Sequence, residues 1–178
     1  KPIPHTEVKI IDQSSKVVPL NSVGEICVRS PYIFSAYVGS EEATKAVFSK
    51  TGWYYTGDCG YMDKHGYLYI VSRKCDMFKH GVKKIYPANV ESVLLTYPDV
   101  KEAVVVGTPH ERLNQDVCAC VVTRPECKHE KFDKTKFLDW CRDKFPVELD
   151  GLSCAPKKVV YFDKIPLGST GKIDRAAV

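Results

Sequence analysis

The stretch Val117-Cys-Ala-Cys-Val-Val-Thr123 is a continuous run of apolar residues, and Val100-Lys-Glu-Ala-Val-Val-Val-Gly107 ends in a second one. Such runs, rich in valine, are typical of strands that are buried on both faces. Two helical patterns accompany them, over residues 87–98 and 133–145; Pro87 begins the first. Strands that alternate with helices predict a small domain with a central sheet flanked by helices.

The residues before Lys74 have a different texture, in which short β-type runs are separated by turn residues. The predicted strands cover residues 7–11, 16–20, 24–29, 53–62 and 67–72, and the last two form a hairpin. Residues 40–48 have helical spacing, with Ser40 as the capping residue. The predicted fold class is α+β: a β-rich part, residues 1–74, is followed by the mixed domain, residues 75–178.

Composition excludes several classes of protein. The 178 residues are 44% hydrophobic and 27% charged, with 26 Lys and Arg against 22 Asp and Glu, a net charge of +4. This composition predicts a folded core and no nucleic-acid partner. No apolar run approaches the roughly 18 residues that a membrane-spanning helix needs, and the first residues do not resemble a signal peptide. We therefore expect a soluble chain without a transmembrane segment.

The eight cysteines favour reduced thiols over a disulfide framework. No CxxC pair occurs, and no histidine is spaced to complete a zinc site, so no metal site is predicted. Cys118 and Cys120 lie two apart in the apolar run, which places both on one face of a strand as core side chains. Reduced thiols indicate an intracellular location, with cytoplasm, mitochondrion and peroxisome not distinguished. The chain begins at Lys1 without an initiating Met, and we expect it to be a piece of a longer protein.

Three clusters of residues could carry chemistry. Asp58 ends Tyr55-Thr-Gly-Asp58, which taken alone is typical of a turn aspartate bonded to local backbone. Ser72-Arg-Lys-Cys-Asp76 taken alone is typical of a solvated domain edge. Gly168-Ser-Thr-Gly-Lys-Ile-Asp-Arg175 is not a P-loop, because Pro166 stands at the first glycine position and Ile173 follows the lysine. It predicts a lysine, Lys172, on a flexible loop between glycines.

The joint order of these clusters resembles a known family. The motifs are Gly24-Glu-Ile26, the Asp58 motif, Arg73 with Asp76 and Lys79, Pro87 with Glu91, and Pro166 with Gly171-Lys-Ile-Asp-Arg175. They resemble the carboxyl-terminal core motifs of the adenylate-forming superfamily: acyl-CoA synthetases, aryl-CoA ligases, luciferase and adenylation domains. The sequences Asp76-Met-Phe-Lys79 and Gly107-Thr-Pro109 are most similar to those of animal fatty- and medium-chain acyl-CoA synthetases and luciferase-like proteins.

This resemblance implies a ligase that works in two steps. A carboxylic acid, expected to be a fatty acid, and ATP give an acyl-adenylate, and CoA then displaces AMP. The cofactors implied are ATP, CoA and Mg²⁺, the last bound mainly by a domain that these residues lack. Residues 1–74 would be the β-rich end of the large AMP-binding domain. Residues 75–178 would be its small lid domain, and the chain alone would be inactive.

Residue by residue, the resemblance assigns Asp58 to the ribose hydroxyls of ATP and Arg73 to the ribose and the phosphate side. Lys172 would be the adenylation lysine, which lowers the repulsion between the carboxylate and the α-phosphate. The lid of this family rotates about one hinge residue just after the arginine. That position is Cys75 here, where Asp or Lys is usual.

Lys79, Gly81 and Val82 fall in the segment that the resemblance assigns to the thioester step. Val82 stands where a glycine usually lets the backbone approach the pantetheine arm of CoA, unless Gly81 substitutes by a local shift. Three further positions depart from the family pattern: Asn114-Gln115 for Gly-Glu, Cys154 for a lysine, and Ser72 for a glycine. The adenylation residues are kept better than the thioester residues, so acyl adenylation ranks above CoA ligation.

Two alternatives remain open from the sequence. A luciferase-like adenylating oxygenase would share these motifs. A degenerate, non-catalytic interaction module would explain Cys75, Val82 and Cys154, but the presence of Asp58, Arg73 and Lys172 argues against it. The sequence does not indicate which acid is the substrate.

Overall fold

The computed structural model describes residues 1–125, 127 and 132–178. The chain divides into two compact units, Lys1–Cys75 and Asp76–Val178. The structure is mixed and rich in sheet, as the predicted α+β class requires. Among the described residues, no helix is both long and apolar enough to cross a membrane.

The first unit is a four-stranded antiparallel sheet in chain order. Its elements are β1 (Glu7–Ile11), β2 (Gly24–Arg29), α1 (Glu41–Val47), β3 (Tyr54–Met62) and β4 (Leu68–Arg73). The predicted hairpin is confirmed, because β3 and β4 pair antiparallel from Met62 opposite Leu68 to Asp58 opposite Arg73. Gly60 is required there by close packing, since a Cβ at this position would lie 2.2 Å from the carbonyl oxygen of Tyr69.

The predicted strand over residues 16–20 is wrong. Only one isolated bridge forms in it, Val17 opposite Ile11. The carboxylate of Asp12 accepts the backbone N–H groups of Ser14 and Lys16 and closes the turn that brings Val17 back to Ile11. Pro19 then limits the pairing, because it has no N–H to extend a ladder.

The second unit is built on a sheet with the order β6-β5-β8-β7, and a further strand, β9, pairs parallel with β8. Its elements are β5 (Phe78–His80), β6 (Lys83–Ile85), α2 (Pro87–Leu94), β7 (Val100–His110), β8 (Asn114–Thr123), α3 (Lys134–Lys144) and β9 (Lys158–Tyr161). Helix α2 begins at the predicted Pro87 and ends four residues before the predicted end, whereas α3 starts where expected, with Asp133 as its cap.

Strands β7 and β8 are buried on both faces, as their continuous apolar runs predict. Val105 and Val121 face the helices and pack against Leu94 of α2 and Phe137 of α3. The opposite face carries a smaller cluster made of Val104, Cys118, Cys120 and Val122, and Ile165 from the carboxyl-terminal segment packs on it. Both helices therefore lie on one face of the sheet, and the carboxyl-terminal segment lies on the other.

Adjacent leucines at the end of α2 test this packing. Leu94 is 0% exposed and Leu95 is 44% exposed. We expect Leu94→Ala to lower the free energy of unfolding by about 2–5 kcal/mol, because it leaves a cavity in the core. Leu95→Ala, the matched control, should cost less than about 1 kcal/mol. Urea unfolding measures both, and equal costs would contradict the described register of α2.

Candidate functional site

The predicted site residues fall in both units. Asp58 and Arg73 belong to the first unit, and Lys79, Gly81, Val82 and Lys172 belong to the second. Each group is described within its own unit.

Asp58 and Arg73 are brought together by the pairing of β3 with β4. They stand opposite each other in the ladder, and Arg73 Nη1 donates to Asp58 Oδ1 at 2.7 Å. The side chain of Asp58 is 28% exposed and that of Arg73 is 58% exposed. The Asp58 carboxylate thus bonds across the sheet rather than to its local backbone. An accessible carboxylate can accept hydrogen bonds from hydroxyl groups, and the guanidinium beside it can contact a phosphate.

The backbone before Asp58 is held from two sides. Gly57 has a φ of +71°, and its carbonyl accepts the N–H of Lys74 at 2.7 Å. The N–H of Asp58 donates to Thr56 Oγ1, whose hydroxyl donates to the carbonyl of Ile26. Thr56 and Gly57 of the Tyr-Thr-Gly-Asp motif therefore have a structural role. Their contacts fix the backbone position from which the Asp58 side chain extends.

Lys79, Gly81 and Val82 lie on one hairpin. His80 pairs with Lys83 across β5 and β6, so Gly81 and Val82 form a two-residue turn. Gly81 has a φ of +61°, and its N–H donates to the carbonyl of Leu113 at 2.7 Å. A Cβ on Gly81 would lie 3.1 Å from Leu152 Cδ1, whereas the Val82 side chain is 84% exposed. The residue with close backbone contacts is therefore Gly81, and Val82 projects outward at the tip.

The departure at Asn114 has a conformational explanation. Asn114 has a φ of +66°, in the left-handed region that glycine adopts without strain. Asparagine is among the few other residues that tolerate this region. The change from glycine to asparagine therefore preserves the turn between β7 and β8.

Sequence reasoning missed His80 and Asp116, which hold the hairpin to β8. His80 is buried, and its Nδ1 lies 2.8 Å from the carbonyl oxygen of Gln115 and 3.4 Å from Asp116 Oδ1. The available signal was weak: His80 alternates with the apolar Phe78 in a strand of only three residues.

Lys172 lies on a second, tighter hairpin. Leu167 and Ile173 form an antiparallel bridge, and the N–H of Gly168 donates to the carbonyl of Lys172 at 2.8 Å. Gly171 closes the turn with a φ of +75° and donates to the carbonyl of Gly168. The Lys172 side chain is exposed. The segment expected to be a flexible loop is thus a hydrogen-bonded turn that presents an exposed ammonium.

Arg175 follows this turn and is held by ionic contacts. Its guanidinium bonds both oxygens of Glu91, with Nη1 to Oε1 at 2.7 Å and Nη2 to Oε2 at 3.2 Å. Nη1 also donates to the carbonyl of Val105 at 3.0 Å, and Nε lies 3.3 Å from Asp76 Oδ2.

Cys75 and Cys154 differ in their surroundings. Cys75 is exposed and is the last residue of the first unit. Cys154 is half-buried; burial raises the pKa of its thiol, and the nearby Lys83 ammonium opposes that effect. Lys83 itself pairs with Glu148, with Nζ 2.5 Å from Oε1.

Comparison with known proteins agrees with the motifs. Residues 89–172 match the AMP-binding enzyme C-terminal domain, and residues 1–38 match the AMP-binding enzyme family. The chain is 34% identical to an oxalate–CoA ligase of Arabidopsis thaliana over 97% of its length and 32% of the relative's. It is also 34% identical to a mitochondrial medium-chain acyl-CoA ligase of Danio rerio, covering 97% of this chain and 27% of that protein.

Solved structures give the same result. The amide bond synthetase McbA of Marinactinospora thermotolerans superimposes with a TM-score of 0.84 at 36% identity, over 99% of this chain and 35% of that one. The o-succinylbenzoate CoA synthetase of Bacillus subtilis, in complex with its acyl-adenylate intermediate, gives 0.86 at 32% identity, over 99% and 34%. Fold and motifs together place the chain in the adenylate-forming superfamily. The chain belongs to the AMP-binding enzyme family, and the resemblance inferred from the ordered motifs is confirmed.

The chain spans about a third of the length of the curated relatives it matches.

All eight cysteines lie in the described part of the chain as thiols without a disulfide bridge, and five of them are buried.

Thiol alkylation tests the placement of Cys75. Burial raises the pKa of Cys27 to about 11 and that of Cys141 to about 12, so both remain protonated thiols at pH 8. We expect N-ethylmaleimide to label Cys75 in the native chain about tenfold or more faster than these two. Peptide mass spectrometry identifies the labelled residues, and unfolded protein, labelled at all eight, is the control. Equal native rates would contradict the described burial.

Proposed function

We propose that these residues are the carboxyl-terminal part of an ATP-dependent acyl-CoA synthetase. Residues 1–74 would end the large AMP-binding domain, and residues 75–178 would form the lid. The observation that carries the proposal is the exposed Lys172 on an anchored hairpin, in a chain of this family. The named ligases among its relatives support it, as does the fact that the chain spans about a third of their length.

In the first half-reaction, the carboxylate attacks the α-phosphate of ATP and pyrophosphate leaves. Asp58 would accept the ribose hydroxyls, and Arg73 would contact the ribose and the phosphate side. The ammonium of Lys172 would lie between the two anions and stabilise the charge of the transition state. These roles follow from the resemblance, and the Asp58–Arg73 pair and the exposure of Lys172 are compatible with them.

Mg²⁺ would neutralise phosphate charge in this step. The resemblance implies that the ion would be bound mainly by the part of the AMP-binding domain that these residues lack, and the described residues contain no cluster of three or more potential metal ligands. Among the solved relatives, the Bacillus subtilis synthetase has been seen with ATP and a magnesium ion.

In the second half-reaction, the CoA thiol attacks the acyl carbonyl and AMP leaves. Lys79, Gly81 and Val82 would face CoA. Gly81 has the left-handed backbone that favours glycine, and Val82 projects outward from the turn. Gly81 would therefore take the place of the glycine that the resemblance expected at Val82. Acyl adenylation remains the more strongly supported half, because Cys75 and Cys154 depart from the family pattern.

The substrate proposed is a carboxylic acid. The fatty-acid class is favoured by one relative named a medium-chain acyl-CoA ligase, but the relative named for oxalate is equally similar. We propose an intracellular location, in keeping with eight free thiols.

The relatives reported above are named as ligases and synthetases, which favours a ligase over a luciferase-like oxygenase. Light emission or oxygen uptake with an adenylated substrate would support the oxygenase instead. The degenerate module is disfavoured by the retained Asp58, Arg73 and Lys172.

Replacement of the lysine tests its role. In the intact enzyme, Lys172→Ala should slow carboxylate-dependent ATP–pyrophosphate exchange by about 100- to 1,000-fold, because one charge-stabilising group is lost. Thioester formation from supplied acyl-adenylate should persist. Lys164→Ala, an exposed lysine on the same segment, is the control and should retain both. Loss of both half-reactions in Lys172→Ala would contradict the role assigned.

The 178-residue chain by itself should catalyse no carboxylate-dependent ATP–pyrophosphate exchange. It spans about a third of the relatives' length, and the resemblance places the acid-binding and main phosphate-binding residues in the part of the domain that it lacks. The exchange assay, run beside the intact enzyme as the positive control, measures this. Robust exchange by the chain alone would overturn the proposed division between the domains.

A further inference from the structure

Four segments of the second unit meet at the guanidinium of Arg175. Glu91 lies in α2, the Val105 carbonyl lies in β7, and Asp76 is the first residue of the unit. The fourth segment is the carboxyl-terminal one, which carries Arg175 itself. Glu91 Oε1 also accepts the N–H of Val105 at 2.8 Å, so one carboxylate bonds both the strand and the arginine. We refer to Asp76, Glu91, Val105 and Arg175 as the arginine clasp.

The clasp requires an arginine and a carboxylate. The side chains of Arg175 and Glu91 are only 22% and 14% exposed. Burial opposes the charge of Arg175, but the hydrogen bonds and negative charges of Glu91 and Asp76 together outweigh it, so the pKa of the guanidinium is raised. The planar fork reaches both Glu91 oxygens, a carbonyl and Asp76 at once, which a lysine ammonium cannot reproduce. Removal of one partner leaves the other charge half-buried and uncompensated.

The clasp lies directly beside the Lys172 hairpin. Arg175 follows Lys172 by three residues, and the N–H of Asp174 between them donates to the carbonyl of Pro166 at 3.0 Å. On the other side of the hairpin, Ile165 is buried on the sheet. The hairpin is therefore anchored at both ends, by an apolar contact before it and an ionic one after it.

The same clasp reaches the start of the unit. Asp76 follows Cys75, the position that the resemblance assigns to the hinge, and it pairs with Arg175 from the far end of the chain. The residue after the proposed hinge and the lysine hairpin are thus joined through one side chain.

We propose that Arg175 is a positioning residue for Lys172: by holding Glu91 and Asp76 it fixes the hairpin to the segment after the hinge, so that the lysine is carried as part of a rigid unit. This inference rests on the proposed adenylation role of Lys172.

The test uses Arg175→Lys and Glu91→Gln in the intact enzyme. Each keeps a side chain of similar length and breaks the fork. We expect the maximal rate of ATP–pyrophosphate exchange to fall about 10- to 100-fold, because small displacements of a catalytic group have effects of that size. The KM for ATP and the rate of thioester formation from supplied acyl-adenylate should each change less than about twofold. Arg142→Lys, which alters an exposed arginine paired with Asp139, is the matched control and should change nothing.

A purely structural role would lower both half-reactions in parallel with the melting temperature, and that result would overturn the inference. If both clasp variants fail to fold, Asp76→Asn decides, because it removes the negative charge that faces Arg175 Nε and leaves both Glu91 hydrogen bonds in place. A selective loss of exchange in Asp76→Asn supports the clasp, and wild-type exchange contradicts it.

Lys172→Ala, measured in the same assays, distinguishes failure of the positioning role of Arg175 from failure of the adenylation role of Lys172. If it abolishes exchange while both folded clasp variants keep wild-type exchange, the positioning role fails and the proposed function stands. If Lys172→Ala itself leaves exchange intact, the adenylation role and the positioning role fall together.

Discussion

The second unit depends on the ladder between β7 and β8. It runs from Val100 opposite Thr123 to His110 opposite Asn114 and is buried on both faces. Apolar burial on two faces is the largest favourable term available to a unit of this size, and it leaves the backbone of β7 no freedom to shift. The functional elements are attached to this ladder. The carbonyl of Val105 accepts Arg175, and the turn after His110 accepts the N–H of Gly81.

The site residues are accordingly borne by short, strained or irregular segments that a rigid sheet supports. Gly81 and Gly171 adopt the left-handed conformation at the tips of two hairpins, and Asn114 does so in the turn that holds the first of them. Backbone of this kind persists when its surroundings over-determine it. The same division applies in the first unit, where Gly57 precedes Asp58 on β3, an inner strand of the four-stranded sheet.

Features that depend on local pattern could be predicted from the sequence. The continuous valine-rich runs identified β7 and β8, Pro87 identified the start of α2, and the ordered motifs identified the family. The strand over residues 16–20 was wrong because its β-type composition was read without weighing Pro19, which has no N–H to extend a ladder. Short strands such as β5 and β6 give no periodic signal in the sequence, because three residues are too few to show a repeat.

The contacts around the site could not be predicted. Arg175 and Glu91 are 84 residues apart, and nothing in either neighbourhood indicates that they meet. His80 and Asp116 were missed for the same reason. The expectation of a loose lysine loop followed from counting glycines, whereas the structure uses Gly171 to close a turn. The roles given to Asp58, Arg73, Lys79, Gly81, Val82 and Lys172 remain proposals drawn from the resemblance.

The central claim is that this chain serves acyl adenylation, and trapping the intermediate tests it most directly. The intact enzyme would be mixed with ATP, Mg²⁺ and a panel of carboxylic acids without CoA, quenched rapidly, and analysed by mass spectrometry. The account predicts bound acyl-adenylate, close to one per enzyme, with release of an equal amount of pyrophosphate. Cleavage of ATP to ADP and phosphate, with no acyl-adenylate for any acid, would contradict it.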